Sequence, residues 1–205
     1  CAICIQGVRS TTLIRQELFS TPMWRITLPE TIDVQWLFDL GIAQQSKNSK
    51  LNNCNGWQSH TSGDSMQYVL PIPDGLELQE FLDTQMNAIA IELGLDNVNL
   101  LNYWLNINPP GSYNEIHKHA NSLLVGNLYL KAPKNSGDIE FIRNDENDYF
   151  TSKYPTSNNP VLATRQSITP VEREIYIFPG WLHHGVKLNN SDNNRISFSF
   201  NYGAI

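Results

Sequence analysis

From Asn99 to Leu130 the chain reads NLLNYWLNINPPGSYNEIHKHANSLLVGNLYL, and the reading of this stretch decides the fold. It divides into Asn99–Asn108, Asn114–His119 and Ser122–Leu130, separated by Pro109-Pro110-Gly111 and by Ala120-Asn121. Proline removes a ladder donor and glycine relaxes the backbone, so the three pieces read as short strands joined by turns. The same rhythm continues through Asp138–Arg143, Glu174–Phe178, His184–Leu188 and Arg195–Tyr202. Many short strands without helices between them predict a sandwich or barrel. Between Asn144 and Ser167 the sequence turns polar, with Ser157-Asn158-Asn159-Pro160, and reads as a long loop.

Upstream of Asn99 the periodicity is different. Leu18–Leu28 reads as a strand interrupted by Pro22, and Asp33 to about Ser46 as a helix carrying Val34, Leu37, Phe38 and Ile42, weakened by Gly41. Asn48–Asp64 is polar and reads as loop around an embedded Trp57. Gly75–Leu93 is the clearest helix. Asp74 and Glu77 form a capping-box pattern, Leu78, Phe81, Leu82, Met86, Ile89 and Leu93 make an apolar stripe, and Gly94 suits the stop. The expected organisation is a single domain over 1–205, with 1–98 as a helical and strand support region and 99–205 as the core holding the site.

Composition bounds the function. The chain has 205 residues, 40% apolar and 17% charged, with a formal net charge of −6, as expected of one ordinary globular domain. Without clustered Lys and Arg it is not expected to grip nucleic acid. Its apolar runs are too short for a membrane span, and Cys1–Gly7 lacks the basic start of a signal peptide. Three cysteines, Cys1, Cys4 and Cys54, show no framework spacing, so a reducing cytoplasm is the expected compartment.

The chemistry gathers around histidine. Four of the five histidines lie in two pairs, His117 with His119 and His183 with His184. A strand points residues i and i+2 to one face, so His117 and His119 would project together, with Glu115 beside them. Such a pair reads either as half of a metal site or as two solvated histidines on an edge strand. The second pair, following Phe178-Pro179-Gly180-Trp181-Leu182, offers a third imidazole and tips the balance towards metal, although imidazole alone does not say which one. In the last strand Arg195, Ser197 and Ser199 share one face and Ile196, Phe198 and Phe200 the other. An inward Arg and Ser would make a carboxylate receptor. On the residues alone, the outward and solvated reading of Arg195 is slightly preferred.

These blocks, taken in order, resemble a known family. Asn106…Gly111…Asn114-Glu115-Ile116-His117-Lys118-His119-Ala120-Asn121-Ser122, then Gly126-Asn127-Leu128-Tyr129-Leu130, Ser136-Gly137-Asp138-Ile139-Glu140-Phe141, Phe178 to Val186 and Arg195 to Asn201 are similar to a family of 2-oxoglutarate/iron(II) oxygenases of bacteria and their phages, within the prolyl-hydroxylase-like superfamily. Leu18-Phe19-Ser20-Thr21-Pro22 and Gly56-Trp57-Gln58-Ser59 fit the same order. The resemblance implies a mainly β fold, a double-stranded β-helix or jelly roll with α-helices packed outside. It implies iron(II) held by His117, His119 and His184, with His184 rather than His183 as the late ligand. It further implies 2-oxoglutarate as co-substrate bound by Arg195, Tyr129 and Ser197, with Asn127 lining the pocket, and dioxygen as the oxidant. This reverses the preference about the last strand, turning Arg195 inward. The implied reaction hydroxylates a small-molecule or peptide substrate while oxoglutarate is converted to succinate. Trp104, Trp181 and the Asn144–Ser167 loop are expected to shape the substrate mouth, with Trp181 reading equally as plain core. Whether the chain forms a homodimer is left open.

One departure stands out. The wider superfamily places a carboxylate where this chain has His119. Three histidines are the preferred ligand set, with Glu115 as the alternative carboxylate. Rival readings of three histidines are a zinc hydrolase or hydratase, an iron dioxygenase that needs no oxoglutarate, and a metal-binding jelly roll without turnover.

Overall fold

The computed structural model describes residues 19–44, 53–59, 77–143, 159 and 162–204. In chain order the elements are β1 (Trp24–Thr27), α1 (Gln35–Gln44), β2 (Asn53–Cys54), β3 (Trp57–Gln58), α2 (Glu77–Glu92), β4 (Asn99–Asn108), β5 (Tyr113–His117), β6 (Leu124–Lys131), β7 (Ile139–Ile142), β8 (Arg165–Ile168), β9 (Glu174–Pro179), β10 (His183–Val186) and β11 (Arg195–Gly203). They form a six-stranded sheet in the order β1-β9-β6-β11-β4-β3 and a five-stranded sheet in the order β2-β5-β10-β7-β8. Every pairing is antiparallel. From β4 to β11 the chain passes back and forth between the two sheets, which is the jelly roll, or double-stranded β-helix, that the family resemblance implies.

The large sheet is buried on both faces, and the two faces differ in chemistry. Leu105, Ile107, Leu124, Leu128, Ile175, Ile177, Phe198, Phe200 and Tyr202 join Leu37, Leu78, Leu82, Met86, Ile89 and Ala90 in one apolar cluster, so both helices pack on the outer face. The buried residues of α2 recur every three or four positions, which turns one stripe of the helix to the sheet. Gly94, at φ 72°, takes the left-handed conformation that closes the helix. Asn87 then clamps the chain at the start of β4, its side chain accepting from the Val98 amide at 2.9 Å and donating to the Val98 carbonyl at 3.2 Å. The Tyr202 hydroxyl donates to Asp83 Oδ1 at 2.6 Å, tying α2 to the last strand.

The inner face of the same sheet is polar. Asn102, Asn106, Asn108, Asn127, Arg195, Ser197, Ser199 and Asn201 are all buried. A small second cluster of Val125, Ile139, Phe141 and Phe178 is the apolar part of the space between the sheets. Buried amides must find partners, and these bond to one another. Gln58 Nε2 donates to Asn106 Oδ1 (2.8 Å), Asn106 Nδ2 to Ser199 Oγ (2.9 Å), and Ser199 Oγ to Asn127 Oδ1 (3.1 Å).

Several sequence expectations need correction. Within the span 48–64, Asn53–Cys54 and Trp57–Gln58 are strands, pairing with β5 and β4 respectively. They were hidden because two-residue strands carry no periodicity. Within the span 144–167, Arg165 begins β8, which pairs with β7 as the edge of the small sheet. Its sequence, RQSI, has one apolar residue and an exposed pattern, so no alternation marks it. The strand expected at Leu18–Leu28 is only Trp24–Thr27, starting after Pro22, and it forms the edge of the large sheet beside β9. Asn114–His119 is strand only as far as His117. The Asp74 cap, the end of the first helix at Ser46, Cys1 and Cys4 lie outside the described residues. Among the described residues, no helix is long and apolar enough to cross a membrane.

Candidate metal centre

His117 ends β5, and His184 in β10 is its direct cross-strand partner. Adjacent residues of a strand face opposite ways, so His183 points away from the pair and His184 towards it. His119 lies beyond the end of β5, yet its ring joins the other two. Centroid separations are 4.4 Å for His117–His184, 5.1 Å for His117–His119 and 5.0 Å for His119–His184. One ring nitrogen from each histidine lies within 4.8 Å of the others. Glu115 is exposed and its carboxylate is not part of this group; only its backbone carbonyl reaches the centre, as a partner of His117.

The hydrogen bonds settle which nitrogen of each ring is free. His117 Nδ1 lies 2.7 Å from the Glu115 carbonyl and His184 Nδ1 2.9 Å from the Leu182 carbonyl. A carbonyl only accepts, so both Nδ1 atoms carry the proton and both Nε2 atoms present a lone pair. His119 Nδ1 meets Asn201 Oδ1 at 2.7 Å, and its buried Nε2 has no hydrogen-bond partner. Burial lowers the pKa of all three rings. His119 is brought down to about 4, by burial first and the neighbouring His117 second, and His184 falls well below the ordinary value. The rings are therefore neutral near pH 7, the state a metal requires. Three converging lone pairs, one of them on an orphaned buried nitrogen, fit a divalent transition metal.

Further inside, Arg195 is 1% exposed. Its Nη1 donates to the Ser136 carbonyl and, at 3.4 Å, to the Lys187 carbonyl, while Nη2 donates to Asn114 Oδ1 at 3.3 Å. No acidic side chain pairs with it among the described residues, and burial lowers its pKa without a carboxylate to oppose the shift. The approach is tight: a Cβ on Gly137, at φ 95°, would lie 2.9 Å from Arg195 Nη1 and 2.1 Å from the Lys187 carbonyl. Tyr129 stands opposite Ser197 in the neighbouring strand, and its buried hydroxyl has no partner. Burial pushes that hydroxyl up to about 12, so it stays a donor. A buried guanidinium beside a hydroxyl donor can bind an anion, and a carboxylate fits both.

One cavity connects the two features. It is lined by His117, His119, His184, Arg195, Ser197 and Asn127, together with Gln58, Trp104, Asn106, Asn114 and Ser199. The residues named from the sequence are thus brought together, except that Tyr129 is not part of this lining but stands opposite Ser197, which is. Trp104 stacks on His119, with ring centroids 5.6 Å apart and planes 23° from parallel. Trp181 is 60% exposed on the turn before β10, so it is not core. Sequence reasoning did not find Gln58, Asn106, Asn114 and Asn201. Asn201 is marked in the sequence by sharing the alternating face of Arg195, Ser197 and Ser199; Gln58 lies on a two-residue strand that no periodicity marks.

Residues 102–201 match the family model described as "Putative 2OG-Fe(II) oxygenase". No curated protein matches by sequence. Among solved structures, a prolyl-4-hydroxylase of Pseudomonas putida is similar with a TM-score of 0.59 at 15% identity, over 91% of this chain and 95% of that one. A viral collagen prolyl hydroxylase from Paramecium Bursaria Chlorella virus-1, solved with 2OG, gives 0.53 at 16%, over 89% and 96%. HygX from Streptomyces hygroscopicus, solved with nickel and 2-oxoglutarate, gives 0.53 at 11%, over 89% and 83%. At such identities the neighbours establish the jelly-roll fold, while the segment that matches the family holds all three histidines and the buried arginine. Over residues 102–201 the chain is thus similar to the 2OG-Fe(II) oxygenases.

Proposed function

We propose that this protein is a hydroxylase that uses iron(II) at His117, His119 and His184 and converts 2-oxoglutarate to succinate as it oxidises a C–H bond of a small molecule or peptide. The observation that supports this most is the pairing, across one cavity, of three converging imidazole nitrogens with a buried arginine that no acidic side chain pairs with among the described residues. A zinc hydrolase has use for the histidines but none for Arg195.

Each residue has a physical task. His117, His119 and His184 present neutral nitrogens from one side, leaving the cavity side open to co-substrate and dioxygen. Arg195 and the Tyr129 hydroxyl receive the far carboxylate of 2-oxoglutarate, with Ser197 adjacent, so that its keto-acid end faces the histidines. Asn127, Asn106 and Ser199 form a neutral polar wall beside it, whose groups are already bonded to one another and need not reorganise. Iron(II), when bound, supplies the activation of dioxygen and the oxidative decarboxylation, and the protein supplies position and exclusion of water. Three neutral ligands leave the metal's full positive charge to be met by the co-substrate. Residues 1–98 serve as support for the site region within one domain, supplying edge strands β1, β2 and β3 and both helices.

The test is anaerobic. Iron(II) with 2-oxoglutarate should produce a weak visible charge-transfer band, and the Arg195→Met variant should not produce it at the same co-substrate concentration. If the wild-type protein binds iron but shows neither the band nor any 2-oxoglutarate affinity, the hydroxylase reading is wrong.

A further inference from the structure

The third histidine poses a positioning problem. His117 and His184 are fixed by a strand pair, but His119 follows the last residue of β5 and has no ladder to aim its ring. Its amide donates to the Gly180 carbonyl at 2.9 Å, which fixes the backbone and leaves the side-chain torsions free. Trp104 covers one ring face and so restricts its tilt. Neither contact says which ring nitrogen faces the centre.

We infer that Asn201, backed by Asn102, is a positioning residue that holds His119 with Nε2 turned into the metal site. Asn201 Oδ1 lies 2.7 Å from His119 Nδ1. Asn201 Nδ2 donates to Asn102 Oδ1, which turns Oδ1 of Asn201 towards the ring. Both asparagines are 6% exposed, so water does not compete for these bonds. The local fold is shaped for the pair: Asn201 faces Asn102 across the ladder, and immediately beyond it the register slips so that Tyr202 faces Leu100. Such slips re-aim side chains next to sites. The chain of bonds thus runs from Asn102 to Asn201 to His119 Nδ1, leaving Nε2 free, as its lack of any partner shows.

The inference rests on the three-histidine reading of the site, and cobalt(II) binding separates the two. The probe is cobalt(II) alone, titrated against metal-free full-length protein and followed by its visible spectrum, with no turnover involved. Asn201→Leu keeps the volume but removes the acceptor, and should weaken cobalt binding by roughly 10–100-fold. Asn201→Asp keeps an acceptor towards His119 Nδ1 and should bind cobalt more tightly than Asn201→Leu does. A folded Asn201→Leu protein with wild-type affinity would overturn the inference, as would an Asn201→Asp protein as weak as the leucine variant. His119→Ala is the control: if it too binds as wild type, the three-histidine reading itself fails. Should Asn201→Leu not fold, nitrogen-15 NMR of the wild-type metal-free protein decides. The His119 ring should carry its proton on Nδ1; a proton on Nε2 would overturn the assignment.

Discussion

At the scale of single residues, the centre is made by what each histidine is bonded to on its far side. Two backbone carbonyls and one side-chain amide oxygen hold the three Nδ1 protons, so the free nitrogens converge without any charged group to hold them. His119→Ala should lower iron(II) or cobalt(II) affinity by about 100-fold, each lost ligand being worth several kcal/mol in a site of this kind; an unchanged titration would remove His119 from the ligand set. The same burial predicts a pH dependence in the metal-free protein. Above the ordinary value of 6.5 the rings are neutral whether the chain is folded or not. As pH falls from 6.5 towards 4, the unfolded chain takes up protons that the folded rings refuse, so stability falls with pH. For His119 alone, a shift to about 4 corresponds to on the order of 3 kcal/mol. Urea midpoints at pH 7 and pH 5 should therefore diverge more for wild type than for a variant with all three histidines changed to glutamine; equal divergence would contradict the shifts. How much of this was legible in sequence differs by residue. The H-x-H spacing brought His117 and His119 to notice through strand geometry, yet the strand stops at His117, and hydrogen bonding and stacking bring the second ring round. Those contacts link residues far apart in the chain, and no local pattern records them.

At the scale of elements, β11 carries the most information. Its alternation is plain in the sequence, but which face turns inward is not, because both faces are buried: Phe198, Phe200 and Tyr202 against the helices, Arg195, Ser197 and Ser199 against the cavity, and Asn201 against His119. An apolar/polar alternation ordinarily means one wet face, and here the polar face is instead satisfied internally. Two substitutions on this strand should separate the faces. Phe200→Ala removes a fully buried ring that packs against Gly126, and should cost about 3–5 kcal/mol of stability by urea unfolding while leaving the site's ligands in place. Arg195→Met removes the anion receptor and should weaken 2-oxoglutarate by at least ~30-fold in calorimetric titration with manganese(II) present. A variant at Arg195 that binds co-substrate normally would mean the guanidinium is structural. The strands the sequence did not show, β2, β3 and β8, are all short sheet edges. They are held by their neighbours and not by their own residues, which is why propensity passes over them.

At the scale of the whole molecule, the histidine cluster and the buried arginine divide between the two sheets. His117 and His184 belong to the five-stranded sheet and His119 to the turn after it, whereas Arg195, Tyr129 and Ser197 belong to the six-stranded sheet. On the proposed function, a metal would cross-link strands of one sheet, and a co-substrate spanning the cavity would connect that sheet to the other. Each ligand binds the folded state only, so each raises stability by RT ln(1 + [L]/Kd), about 2.7 kcal/mol at a hundredfold excess over Kd. The consequence is an ordered pattern of protection, readable by amide hydrogen exchange. Manganese(II) alone should slow exchange in β5, β10 and the turn carrying His119, with little effect on β6 and β11. Adding 2-oxoglutarate to the manganese form should extend protection to β6 and β11, raising the melting temperature again. Chelation should reverse both steps together, because a co-substrate held only by Arg195 and Tyr129 loses its attachment to the small sheet. If 2-oxoglutarate without metal protects β6 and β11 as fully as with it, the two sheets are not coupled through the site. The arginine pocket is then an independent anion site.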